Sequence, residues 1–84
     1  HGVASMYNNI GLVYYDQRNY PLALKYFEQV ALKAELANDK KLQVNILSNL
    51  GDTYLQVKNY TKAEACYLQY LELSKTLNSK YAVA

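Results

Sequence analysis

Cysteine and histidine are almost missing from this chain: one of each in 84 residues, Cys66 and the first residue, His1. A lone thiol excludes an internal disulfide framework and a cysteine-rich zinc site, and a single histidine leaves no metal-ligand cluster. No run of eighteen apolar residues occurs, so no segment reads as a membrane-crossing helix, and no basic-then-apolar stretch reads as a leader. A formal net charge of +2, scattered along the chain, nominates neither nucleic acid nor an anionic membrane as a partner. Tryptophan is absent and phenylalanine occurs once, yet there are ten tyrosines. A chain of this length makes one small domain, which buries only about 60–65% of the surface its unfolded form exposes, so its core is economical.

What is present is a repeat. Shifted by forty residues, the chain aligns with itself: Asn9 with Asn49, Gly11 with Gly51, Tyr14 with Tyr54, Asn19-Tyr20 with Asn59-Tyr60, Ala23 with Ala63, and Phe27 with Tyr67. Self-similarity of this kind marks a supersecondary unit that cannot bury its apolar face alone and stacks on a copy of itself. Tyr7, Ile10, Gly11 and Tyr14 keep helical spacing, as do Leu47, Leu50, Gly51 and Tyr54, which defines one stripe on a first helix. A second helix carries Tyr20, Ala23, Phe27, Val30, Ala31 and Ala34 in one unit, and Tyr60, Ala63, Tyr67, Tyr70 and Leu71 in the other. Asn19 and Asn59 are expected to cap the second helices, with Pro21 in a first turn where its missing N–H is harmless. Asn38-Asp39 and Asn78-Ser79 are expected to end one hairpin and cap the next helix. The pattern predicts an all-α solenoid of antiparallel helix hairpins. Unit 1–39 has helices over about 3–18 and 20–37, unit 40–79 over about 40–58 and 60–77, and 80–84 opens a further unit of a longer array.

Counting from Ala4 and Val44, each unit has Gly at its eighth position, Tyr at its eleventh, Ala at its twentieth and an aromatic at its twenty-fourth. On these residues the chain resembles the tetratricopeptide repeat family. Glu35 and Lys75 stand where the family pattern has proline, and the period is forty instead of thirty-four. Six extra residues shared between two antiparallel helices lengthen each by roughly 4.5 Å. Units of this length resemble those of spindle-orientation adaptors and, most of all, of bacterial sensory and regulatory arrays. The resemblance implies a right-handed superhelix whose inner groove is lined by the first helix of each unit.

A polar strip runs along those first helices: Ser5, Asn8, Asn9, Leu12, Tyr15 and Asp16, then Asn45, Ser48, Asn49, Asp52, Leu55 and Gln56. The resemblance puts this strip on the groove floor, with Asn8, Asn9, Leu12, Tyr15, Asp16, Asn45, Asn49, Asp52 and Gln56 as the expected partner-contacting residues. Amides suit an extended peptide because each both donates to and accepts from a peptide bond. In the family an asparagine at the sixth position commonly does this, and here the sixth positions are Asn9 and Asn49. The family's dicarboxylate clamp is absent, since Asn8, Ser48, Leu12, Asp52 and Asn45 hold its places. Asp16 and Asp52 instead favour a neutral or basic segment.

The remaining residues read as packing or solvated surface. Gly11 and Gly51 are expected at a close helix approach opposite Ala23 and Ala63, and Tyr7, Tyr14, Tyr20, Tyr54, Tyr60 and Tyr67 in the core. Lys25, Glu28, Lys33, Lys62, Glu64 and Glu72 are expected on the solvated outer side. No nucleophile with a base, no carboxylate pair in a pocket and no phosphate loop can be assembled, so neither catalysis nor a cofactor is expected. The expected function is a cytoplasmic scaffold module that holds a protein or peptide segment in the groove, as part of a larger regulatory or signalling protein, with no nucleic acid or membrane partner. The alternative is a structural repeat that self-associates through uncapped ends displaying Tyr67, Tyr70 and Leu71.

Overall fold

The computed structural model describes residues 2–81, and all of its regular structure is helical: α1 (Gly2–Asp16), α2 (Tyr20–Leu36), α3 (Lys40–Gln56) and α4 (Tyr60–Tyr81). Each helix packs on the next in order, and three-residue connections leave antiparallel neighbours as the available arrangement. The result is two stacked hairpins, as the repeat implies.

The three turns share one geometry. Arg18, Asn38 and Lys58 take positive φ values of 64°, 54° and 65°. In the first turn the N–H of Arg18 donates to the Tyr15 carbonyl at 2.9 Å and that of Asn19 to the Tyr14 carbonyl at 2.8 Å. The pairs Asn38–Glu35 and Asp39–Ala34, then Lys58–Leu55 and Asn59–Tyr54, repeat it. This is the paired-bond closure that satisfies the last carbonyls of a helix. It ends α1 and α3 two residues short of the expected 18 and 58. Asn38 tolerates the left-handed region, whereas Arg18 and Lys58 hold it at a steric cost that glycine avoids. Lys58→Gly is therefore expected to stabilise the chain by about 0.5 kcal/mol, the relieved strain being partly offset by a freer unfolded chain. A urea melt that showed a loss would contradict it.

Caps differ from expectation at two places. Asp39 accepts from the Leu42 N–H at 3.2 Å, and Asn59 accepts from the Lys62 N–H at a long 3.4 Å. Asn19, at φ −93°, makes no side-chain cap bond. At the other end α4 runs on through Asn78 and Ser79, where a turn is expected. A turn at Asn38 is stabilised by α3 folding back to bury Ile46 and Leu47. Among the described residues no helix returns onto α4, and continued i→i+4 bonding satisfies its carbonyls instead. Residues 82–84 of the expected next unit lie outside the described residues.

The core centres on α2 and α3. Ala23, Phe27, Val30, Ile46, Leu50, Tyr54 and Ala63 form one buried cluster, with Tyr7, Tyr14, Leu24, Cys66 and Tyr67 packed against it. The helical stripes read from spacing are thus the packed faces, except that Tyr60 is 61% and Leu71 51% exposed. Thr53 is fully buried, its hydroxyl donating to the Asn49 carbonyl at 2.7 Å. The atoms nearest each glycine belong to an aromatic ring and not to the expected alanine. A Cβ on Gly11 would lie 2.6 Å from Phe27 Cε1, and one on Gly51 would lie 2.7 Å from Tyr67 Cε1. The glycines make room for an aromatic ring crossing the first helix of each hairpin.

Candidate functional site

Because α1 and α3 both lie beside α2, their polar faces border one crevice. Asn49 Nδ2 donates to Asn8 Oδ1 at 3.0 Å, a bond between residues forty-one apart that ties the two hairpins together. Next to it Leu12 and Tyr15 of α1, Asn49 and Asp52 of α3 and, as floor, Phe27 of α2 line a cavity of about 100 Å³. A second cavity, about 310 Å³ and polar, adjoins through Tyr15 and is lined by Asp16, Arg18, Tyr20 and Gln56. The Tyr15 ring stands edge-on to Tyr20 at 5.4 Å. Burial first and the Asp52 carboxylate second push the Tyr15 phenol above its ordinary value, and the Gln56 side chain acts against them.

The expected strip thus separates into three sets. Asn8 and Asn49 meet directly; Leu12, Tyr15, Asn49 and Asp52 share the first cavity; Tyr15, Asp16 and Gln56 share the second. Asn9 and Asn45 are exposed and line neither of these cavities. The two sixth-position asparagines do not pair: Asn49 is bonded to the fifth-position Asn8.

Tyr67 belongs to this site although its spacing marks it as core. Its ring crosses Gly51, and its hydroxyl donates to Asp52 Oδ1 at 2.5 Å. That bond, more than burial, pushes the Tyr67 phenol up to about 12. Phe27, its counterpart in the first hairpin, has no hydroxyl to offer. The comparison of Phe27 with Tyr67 was the available signal, since tyrosine in place of phenylalanine brings a polar tip that needs a partner.

Away from the crevice, several side chains expected in water are engaged. Tyr54 donates to Glu28 Oε2 at 2.8 Å and lies beneath the Lys62 ammonium at 5.5 Å. Tyr26 stacks on Tyr14 at 5.7 Å and meets Tyr7 edge-on at 5.8 Å, with the Lys33 ammonium 5.7 Å from the Tyr7 ring. Burial and then the Glu28 bond push the Tyr54 phenol up to about 12, above its ordinary value near 10. The folded state therefore favours the protonated phenol, a contribution fully present below pH 10 and lost as pH rises through 12. Urea midpoints are expected to fall across pH 10 to 12, and Tyr54→Phe to flatten that fall. An unchanged slope would show that Tyr54 is not linked to stability.

Two stacked helix hairpins with an amide-lined crevice between their first helices define the class: a helical-repeat scaffold. The chain belongs to the tetratricopeptide repeat family, whose family model matches residues 2–76. Repeats of this family generally mediate protein–protein interaction. The human intraflagellar transport protein 88 homolog is 30% identical over 73 residues, which cover 87% of this chain and 9% of that protein. The uncharacterized protein ycf37 of Guillardia theta is 35% identical over 81 residues, covering 96% of this chain and 41% of its own length. This chain thus spans well under half of either relative. No solved structure matches it. Among the described residues no helix is long and apolar enough to cross a membrane.

Proposed function

We propose that this chain is a binding module that holds an extended protein segment in the crevice between α1 and α3, within a larger regulatory or signalling protein of the cytoplasm. The observation that supports it is the Asn8–Asn49 bond beside the cavity of Leu12, Tyr15, Asn49 and Asp52. It puts a peptide-compatible amide next to a recess with an apolar floor, an arrangement suited to main-chain bonding plus one seated side chain. The test is selection from a phage-displayed random-peptide library, followed by anisotropy with the labelled winners. Leu12→Ala with Asn49→Ala is expected to weaken binding about tenfold, the loss of one hydrogen bond and one apolar contact. Leu71→Glu on the outer flank of α4 is expected to leave it unchanged. The reverse pattern would refute the crevice.

One comparison favours self-association as a second reading. Ile46 and Thr53 are 1% and 0% exposed where α3 packs on α2, while their counterparts Met6 and Val13 on α1 are 58% and 52% exposed. At the far flank, Leu55, Ala63, Leu68 and Leu71 line an open, mostly apolar recess of about 470 Å³. Head-to-tail stacking of copies would cover both faces. A monomeric mass by light scattering at high concentration would rule this reading out.

A further inference from the structure

The smaller cavity in the crevice says which side chain it fits. Asp52 is its one charged lining residue. One N–H of Asn49 Nδ2 is bonded to Asn8 and Asp52 Oδ1 accepts from Tyr67, which leaves Asn49 Oδ1 and Asp52 Oδ2 as acceptors beside the second Asn49 N–H and the Tyr15 hydroxyl. Its other walls are Leu12, the Tyr15 ring and Phe27, the last fully buried. At about 100 Å³ it is smaller than the roughly 150 Å³ cavity that takes a benzene ring, which suits a slender chain better than an aromatic one. Charge agrees. The strip along α1 and α3 carries Asp16 and Asp52 and no lysine or arginine, although the whole chain is +2. Arg18 borders the neighbouring polar cavity together with Asp16, so that end holds both signs and Asp52 is the carboxylate of the smaller one.

We propose that this cavity takes a lysine side chain of the partner segment. Its methylenes pass between Leu12 and Tyr15, and its ammonium sits between Asn49 Oδ1 and Asp52 Oδ2. Lysine is a compact point charge with three donors on an apolar stem, and such a stem packs along apolar surface while its head reaches an acceptor. Arginine is the weaker fit, because its planar fork is best met by two free carboxylate oxygens, and Asp52 Oδ1 already accepts from Tyr67. An acidic side chain or chain terminus would face Asp52 and be repelled. The assignment rests on the crevice reading above and adds to it the chemistry of the seated side chain.

The test is a titration of the ¹⁵N-labelled full chain, following backbone and asparagine side-chain amides by NMR. The probes are the blocked hexapeptide acetyl-Gly-Ala-Leu-Lys-Ala-Gly-amide and its versions with arginine, norleucine or glutamate in place of lysine. The lysine peptide is expected to shift the Asn8 and Asn49 side-chain amides and to bind about tenfold tighter than the norleucine peptide, the contribution of one charge-assisted bond. Asp52→Asn should erase that preference, and Tyr67→Phe, which frees Oδ1, should narrow the gap between lysine and arginine. If all four peptides shift the crevice amides equally, or the preference for lysine survives Asp52→Asn, the lysine assignment is wrong while the crevice stands. If no peptide shifts α1 or α3, the crevice reading fails and the assignment with it.

Discussion

A Phe27→Ala chain is expected to be mostly unfolded, or within a few kcal/mol of it, under conditions where the parent chain is folded. Phe27 is fully buried in the core cluster of the described residues, its ring against Gly11 of α1 and bordering the cavity that Asn49 and Asp52 of α3 line. Truncating a buried phenylalanine removes about 3–5 kcal/mol, including the cavity left behind. A chain of 84 residues has about 4–13 kcal/mol in all, at roughly 0.05–0.15 kcal/mol per residue. Urea denaturation followed by circular dichroism measures the loss. Tyr67→Ala, at the half-buried counterpart, is expected to lose clearly less. Equal losses would mean that the core is not centred on α2 and α3.

The second large effect comes from adding atoms to the same contact. Gly11→Ala gains about 1 kcal/mol of helix propensity, and on propensity alone it would stabilise. Its methyl would stand 2.6 Å from Phe27 Cε1 and 2.8 Å from Cδ1, inside any normal carbon contact, and that ring is fully buried, so it yields only by displacing packed neighbours or entering the small crevice cavity. Overpacking of this kind is worth about 1–3 kcal/mol, so a net loss of about 1–2 kcal/mol is expected. Gly51→Ala faces Tyr67 at 2.7 Å, but that ring is only half-buried and can swing, so a smaller loss is expected there. The decisive measurement is a double-mutant cycle. Gly11→Ala in a Phe27→Leu background should lose most of its penalty, because neighbours that share one space are not additive. A stabilising Gly11→Ala would refute the steric account of the glycine.

Much of this architecture was legible in residue spacing. Apolar residues at i, i+3, i+4 and i+7, twice over at a forty-residue shift, leave little choice but stacked helix hairpins. The particular partners were less legible. Aligning the units pairs Asn9 with Asn49, but alignment compares equivalent positions, whereas packing joins positions on neighbouring helices, and Asn49 meets Asn8 instead. Ala23 and Ala63 were reasonable partners for the glycines by size. The true neighbours are rings reaching across from one turn further along the second helix, which spacing alone does not measure. Arg18 and Lys58 give no turn signal by residue type, since the bonds that set those turns are between backbone groups. The Tyr67–Asp52 bond joins α4 to the crevice across the second hairpin, and no pattern within one helix encodes it.

The side-chain bonds between hairpins do more than add stability. Asn49 reaches back to Asn8 on α1, and Tyr54 to Glu28 and Gln43 to the Ala34 carbonyl on α2, so α3 is held to the preceding hairpin by three struts at different places. Struts at different places fix a rotation as well as a separation. In an array built from such units the same rotation recurs at every joint, and a change in one strut's length compounds along the array as a change in pitch. The crevice strut is also the one an occupant would pull on.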